Sequence, residues 1–196
     1  MNKKPIKGEY LEILLRSPKT VFSTKDIALL WGENRKSIIS GRLNKYAKIG
    51  KLFQIHRGLY AKDKKYILRE LATSIYTPSY ISFETVLKDA GIIFQHYDTI
   101  FIAGKISKNI TIDKNRITFR KLKDIVLFNS AGIDNNGIYS IASKERAFLD
   151  MIYIFPKYYF DNLRPINWDK CFELAKLYNN KQLIKRLIKY KNNYVR

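Results

Sequence analysis

Apolar residues in the first fifty positions recur with the period of an α-helix. Three short helices are therefore predicted, over residues 9–16, 23–32 and 34–50. Asp26 follows Ser23 at the spacing of a capping box, so we expect Ser23 to begin the second helix and Gly32 to end it. Asn34 is the candidate N-cap of the third helix.

The third predicted helix has one apolar side and one polar side. Projected at about 100° per residue, the apolar side carries Ile39, Leu43, Tyr46 and Ala47. The opposite side carries small polar or basic residues, namely Asn34, Ser37, Ser40, Gly41, Asn44, Lys45 and Lys48. The boundary between the two sides carries Arg35, Lys36 and Arg42. Small side chains on the polar side would let the helix backbone approach a groove closely.

A basic two-stranded segment is predicted directly after this helix. Residues 51–61 are rich in strand formers, and Arg57-Gly58 is a turn signal, because glycine takes the positive φ that a tight turn often needs. Lys51, His56 and Arg57 lie around that turn. A helix followed by a basic two-stranded wing is typical of a winged helix-turn-helix, a DNA-reading module.

The candidate DNA-binding residues come from the third helix and the wing. They are Asn34, Arg35, Lys36, Ser37, Ser40, Arg42, Asn44, Lys45, Lys51, His56 and Arg57. The alternative interpretation is that the polar helix side and His56 are merely solvated, and that Arg35 and Arg42 are held in salt bridges.

After residue 66 the pattern changes to short strands between helices. A helix predicted over 69–76 ends before Thr77-Pro78, and Ser82 is the candidate N-cap of a helix that ends at Gly91. Short strands are predicted over residues 99–103, 109–113, 116–120, 124–128 and 137–140. Further helices are predicted over residues 144–154, 168–178 and 181–190, the first of them opened by Ser143.

These elements predict an α+β protein with two domains. Residues 1–66 are expected to form the winged helix-turn-helix. Residues 67–196 are expected to form a mixed α/β domain with a small sheet and C-terminal helices.

The charge is large and unevenly distributed. The chain of 196 residues has 37 Lys and Arg against 17 Asp and Glu, a net charge of +20. Residues 1–68 carry a net +11, residues 69–160 a net +3 and residues 161–196 a net +6. An A/T-rich genome, which encodes Lys and Asn often, would spread this excess evenly. The concentration at the two ends therefore favours a polyanionic partner.

Several kinds of chemistry have no candidate residues in the sequence. Two histidines and one cysteine are too few for a Cys/His zinc site, and no phosphate-binding glycine loop or nucleophile elbow occurs. The acidic residues are scattered, so we expect no catalytic residues, no cofactor, no metal and no enzyme activity.

The sequence also indicates the cellular compartment in which the protein is expected. The single Cys171 excludes an internal disulfide and fits a reducing cytoplasm. No apolar run reaches the roughly 18 residues of a transmembrane helix, and residues 1–8 have no apolar segment typical of a signal peptide. We expect a cytoplasmic protein that does not associate with membranes.

Four stretches in order along the chain carry a family resemblance. They read RLNK through IGKL (42–52), RGLYA (57–61), YTPSYISFETVL then GI (76–92), and ASKERAFLDMIY (142–153). Together they resemble the antitoxins of AbiE abortive-infection systems, over roughly residues 10–155. The chain departs from that family in its shorter tail after residue 160.

The resemblance implies a transcriptional repressor of its own toxin–antitoxin operon. The winged helix would bind inverted repeats in promoter DNA, as a monomer or a dimer. The second domain would counteract a nucleotidyltransferase-like toxin, without requiring a stable complex. Two alternatives remain beside this reading: a basic RNA- or ribosome-binding module, and a toxin-like enzyme, which the scattered carboxylates disfavour.

Overall fold

The computed structural model describes residues 5–6 and 8–194. It has helices and two separate sheets, which confirms the predicted α+β class. The chain divides into two compact units, Met1–Ile75 and Tyr76–Arg196, called here the first unit and the second unit. Most of the N-terminal stretch discussed above, residues 1–8, lies outside the described residues.

The first unit contains four helices and three strands among its described residues. They are α1 (Glu9–Arg16), β1 (Val21–Ser23), α2 (Thr24–Trp31), α3 (Lys36–Lys48), β2 (Phe53–His56), β3 (Leu59–Ala61) and α4 (Leu68–Ile75). The strands form an antiparallel sheet in the order β1-β3-β2. Strand β1 was not predicted, because three residues are too few to show a period and only pairing with β3 makes them a strand.

The first unit continues past residue 66, where the sequence pattern placed the domain boundary. The reason is Glu70 on α4, whose buried carboxylate accepts hydrogen bonds from the backbone N–H of Thr20 (2.9 Å) and from its hydroxyl (2.5 Å). The Thr20 hydroxyl in turn accepts a bond from the N–H of Ile67. These contacts hold α4 beside the segment that leads into β1.

Local capping signals in the first unit are confirmed. The Ser23 hydroxyl accepts a hydrogen bond from the N–H of Asp26 (3.1 Å), and the Asp26 carboxylate accepts one from the N–H of Ser23 (2.9 Å). Burial raises the pKa of the Asp26 carboxyl, but the bonds with Ser23 and the nearby Lys19 outweigh burial and hold that pKa below its ordinary value. Gly32 ends α2 with a φ of 57°.

The second unit is built on a mixed six-stranded sheet in the order β6-β7-β5-β4-β9-β8. Its strands are β4 (Tyr80–Ile81), β5 (Thr99–Gly104), β6 (Lys108–Ile112), β7 (Asn115–Lys121), β8 (Ile133–Asn135) and β9 (Ser140–Ala142). Its helices are α5 (Phe83–Asp89), α6 (Asp124–Leu127), α7 (Lys144–Ile154), α8 (Trp168–Ala175) and α9 (Lys181–Tyr194), with a 3₁₀ turn over Lys176–Tyr178. Helix α7 has the predicted bounds, and its N-cap Ser143 accepts a bond from the N–H of Arg146.

Two of the strands predicted for the second unit are wrong. Residues 137–140 contain a bend, and only Ser140 belongs to a strand, β9. Residues 124–128, predicted as a strand, contain helix α6, because a short apolar run carries no period that separates the two structures. Ser82 occupies the N-cap position of α5, as predicted, but its hydroxyl makes no cap bond to that helix. It donates instead to the carboxylate of Asp150 (2.7 Å), a partner distant in sequence.

Asp150 and Arg146, on α7, are the centre of a buried polar network. The carboxylate of Asp150 accepts bonds from the hydroxyls of Ser82, Tyr80 (3.0 Å) and Tyr178 (2.6 Å). The Arg146 guanidinium donates to Asp150, to Tyr80 and to the backbone carbonyls of Val126, Asn129 and Ala131. Burial by itself lowers the pKa of Arg146, but Tyr178, Asp150 and Tyr80 raise it above its ordinary value. The guanidinium therefore stays charged and ties α6 and β4 to α7.

No helix within the described ranges is both long enough and apolar enough to cross a lipid bilayer.

Candidate nucleic-acid interface

Two side chains one turn apart anchor helix α3 to the core of the first unit. Ile39 and Leu43 are buried in the core of the first unit, beside Trp31 of α2 and Leu14 of α1. Their i, i+4 spacing places both on one side of the helix, so the opposite side must face away from that core. The predicted apolar side of the helix is thus the side that the structure buries.

The outer side of α3 is exposed and has no acidic residue. Its exposed residues are Lys36, Ser37, Ser40, Gly41, Asn44, Lys45 and Lys48. Within the described part of the chain, none of these lysines forms an ion pair. The structure therefore brings small hydrogen-bonding side chains together with three lysines on one solvent-facing helix side.

Asn34 is not the N-cap of α3, contrary to the sequence prediction. The helix begins at Lys36, and Arg35 occupies the N-cap position without a side-chain cap bond. The cause is the largely buried carboxylate of Glu33, which accepts a bond from the backbone N–H of Arg35 (3.0 Å) and holds that residue extended. Asn34 is exposed just before the helix.

The Arg35 side chain also pairs with Glu33. Its Nε and Nη2 donate to the two carboxylate oxygens at 2.9 and 2.7 Å. This hydrogen-bonded pair raises the pKa of Arg35 above its ordinary value. The arginine is therefore oriented by a carboxylate, as the alternative interpretation of the sequence held for this position.

Arg42 serves the packing of the first unit. Its guanidinium lies 3.8 Å from the centre of the Tyr10 ring, a cation–π contact between α3 and α1. Its buried Nε has no hydrogen-bond partner among the described residues. No salt bridge of Arg42 occurs among the described residues, and the predicted groove contact of this residue stays a prediction.

The turn between β2 and β3 presents a second basic region. Gly58 has a φ of 75°, as the turn requires, and its carbonyl accepts bonds from the N–H (3.0 Å) and the hydroxyl (3.1 Å) of Thr24. These bonds dock the turn on the first residue of α2. Arg57 is exposed at the turn, whereas His56 is half-buried.

A short connection joins α3 to this pair of strands. The N–H groups of Lys51 and Leu52 both donate to the carbonyl of Tyr46 on α3, at 2.9 and 3.3 Å. Leu52 is buried in the core and anchors the connection, while Lys51 is exposed. Lys51 therefore extends the basic surface that begins with Lys45 and Lys48.

Sequence reasoning did not single out Lys25. This exposed lysine lies in the first turn of α2, next to Thr24 and so beside the docked turn that carries Arg57. A cation in the first turn opposes the helix dipole, so the residue does not help the helix itself. A lysine at a position that is unfavourable for the helix could have indicated from the sequence that Lys25 has another role.

The described residues show neither a metal-binding group nor an activated thiol. No three His, Cys, Asp or Glu side chains there are placed to hold a metal ion. Cys171 is buried, and burial raises the pKa of its thiol to about 12, so it is a poor nucleophile at neutral pH.

No model of a known protein family matches the chain, and no curated protein matches it in sequence.

Proposed function

We propose that the first unit is a winged helix-turn-helix that binds double-stranded promoter DNA, and that the chain represses its own operon. The observation that carries this proposal is the outer side of α3, which combines small polar residues with lysines and has no acid. An α-helix fits the major groove, and a helix face of this composition can contact both phosphates and base edges.

The order of the elements supports the same proposal. Helices α2 and α3 are consecutive, share one core and are followed at once by the β2–β3 hairpin. In helix-turn-helix proteins the second helix of such a pair enters the major groove. Here that helix would be α3, and the hairpin would be the wing.

Different residues would supply affinity and sequence preference. Lys45, Lys48 and Lys51 are exposed point charges suited to phosphates. Ser40 and Asn44 are one turn apart on α3 and can hydrogen-bond base edges, since an asparagine amide matches the edge of adenine. Affinity from the lysines would be independent of sequence and sensitive to salt, whereas Ser40 and Asn44 would select the site.

The second half of the proposed function is that of an antitoxin. It rests on the resemblance to AbiE antitoxins, which assigns the second unit the task of counteracting a nucleotidyltransferase-like toxin in the cytoplasm. Binding to inverted repeats would place two copies of the chain on one operator. Co-expression with the neighbouring toxin gene tests this half directly, because rescue of growth must be lost when the second unit is deleted.

A promoter titration tests the DNA-binding half. The purified chain is titrated on the duplex upstream of its own gene, on random duplex and on structured RNA, at two salt concentrations. We expect a preference for the promoter over random duplex of about 10³ or more. Equal and strongly salt-dependent binding to all three would refute sequence recognition and favour the alternative of a general RNA-binding module.

Replacing Arg57 with alanine should weaken promoter binding and lower the salt slope. The exposed guanidinium is expected to contact a phosphate, and removing one such contact lowers the slope by about 1. The measurement is the affinity at four or more salt concentrations for R57A and for K114A, a control lysine on the exposed β6–β7 turn. An unchanged slope in R57A would remove Arg57 from the interface.

A further inference from the structure

The second unit has a groove that the proposed function does not use. It runs between helix α9 and the segment 155–161, and is called here the C-terminal groove. Two adjoining hollows of about 270 and 210 Å³ make it up, and both are lined by Tyr158, Tyr159, Tyr190 and Asn193.

The walls of this groove are held in place by hydrogen bonds. The hydroxyl of Tyr190, on α9, donates to the carbonyl of Tyr158 at 2.5 Å. Arg186, one turn earlier, donates to the carbonyls of Ile152 (2.9 Å) and Tyr153 (3.2 Å) at the end of α7. Helix α9 is therefore attached both to the segment, through Tyr158, and to the end of α7 that leads into the segment.

Tyr159 is a strongly exposed aromatic residue of the groove. Its side chain is 80% exposed, although the neighbouring Phe160 is buried and packs against Phe148 and Tyr190. Packing thus fixes the backbone beside Tyr159 while its ring stays in solvent. A large aromatic ring displayed from a fixed backbone is suited to stacking on a flat partner.

The charge around this ring is positive. Helix α9 contains Lys181, Lys185, Arg186, Lys189 and Lys191 and no acidic residue. Lys189 and Lys157, which are both exposed, line the same hollow as Tyr159. One acid, Asp161, lines the other hollow, and its carboxylate accepts a bond from the N–H of Phe94.

We propose that the C-terminal groove binds single-stranded nucleic acid, with an unpaired base stacked on Tyr159 and the flanking phosphates on Lys157 and Lys189. An exposed aromatic ring within a basic groove is the combination that single-strand binding proteins use. A duplex hides the faces of its bases and cannot use the ring, and the carboxylates of an acidic peptide would use the lysines but have no aromatic face to stack on the ring. RNA and single-stranded DNA share the chemistry that this groove recognises.

The test uses the full chain and a labelled, unstructured 12-nucleotide strand, as RNA and as DNA of the same sequence. Fluorescence anisotropy follows binding with unlabelled promoter duplex in excess, so that the first unit is occupied. Tyr159→Ala should weaken binding by about 5-fold or more, whereas Tyr159→Phe, which keeps the ring, should bind like the wild type. Lys189→Ala should lower the salt slope by about 0.7.

Two matched variants serve as controls outside the groove. Phe128→Ala removes another exposed ring of the second unit, and K114A removes another exposed lysine. Neither should change single-strand binding, and Tyr159→Ala should leave promoter binding unchanged. If Tyr159→Ala weakens binding of both the RNA and the DNA strand, the proposed groove is supported as described. If it weakens binding of RNA alone, the groove is supported and also contacts the ribose.

Three results would overturn the proposal. The first is the absence of single-strand binding by the full chain at low salt, about 50 mM, where contacts between lysines and phosphates are strongest. The second is equal affinity of Tyr159→Ala and Phe128→Ala. The third comes from a parallel binding assay with anionic lipid vesicles. If Tyr159→Ala weakens binding to the vesicles but not to the single strands, the groove is a membrane-binding surface.

Discussion

Replacing Arg146 with methionine should destabilise the second unit by about 3–5 kcal/mol. The substitution keeps the volume of the side chain but leaves the fully buried Asp150 carboxylate without its positive partner. It also removes the donors that satisfy the carbonyls of Val126 and Ala131. A buried charge left unpaired costs far more than the ion pair contributes.

Urea unfolding followed by tryptophan fluorescence measures this effect. The chain has two tryptophans, Trp31 in the first unit and Trp168 in the second, so in a Trp31→Phe background the signal reports the second unit. Arg116→Met, at an exposed arginine of β7, is the matched control and should change the free energy of unfolding by no more than about 0.5 kcal/mol. Equal stabilities of the two variants would show that the network is not needed to hold α6 and β4 on α7.

Placing glutamates at Ser40 and Asn44 should weaken promoter binding by about 100-fold or more. The two carboxylates would face phosphates and base edges on the outer side of α3, and each lost or repelled contact there is worth about 1–3 kcal/mol. Both positions are exposed, so the fold of the first unit should be unaffected. A gel shift on the promoter duplex measures the loss, and circular dichroism checks the fold.

The matched control for this double variant lies in the other unit. Asn109→Glu with Thr111→Glu adds the same charge at two exposed positions of strand β6. We expect this control to bind the promoter nearly as well as the wild type. If both double variants weaken binding equally, the effect comes from net charge, and α3 is not the element that contacts DNA.

Local patterns were sufficient where a short stretch contains all the partners of an interaction. The capping box of Ser23 and Asp26, the cap at Ser143 and the two sides of α3 were all predicted, because their partners lie within four residues along the chain. Most candidate residues on α3 are exposed for the same reason, since burying Ile39 and Leu43 forces the opposite side outward.

Where a partner is distant in sequence, the local pattern was misleading. Ser82 occupies the N-cap position of α5, but its hydroxyl binds Asp150, which is distant in sequence, and not the helix that it precedes. Arg42 stacks its guanidinium on Tyr10 of α1, a contact that the pattern along α3 does not indicate. In each case a side chain with a plausible local role has a stronger partner that the fold brings to it.

The sequence by itself determined the α+β class, most helix bounds in the first unit and the basic, acid-free side of α3. These follow from periodicity and capping, which act over a few residues. Only the tertiary structure decided the pairing of β1, the helical state of residues 124–127, the burial of Arg146 and the display of Tyr159. Those features depend on contacts between segments far apart in the chain, and no local pattern records such contacts.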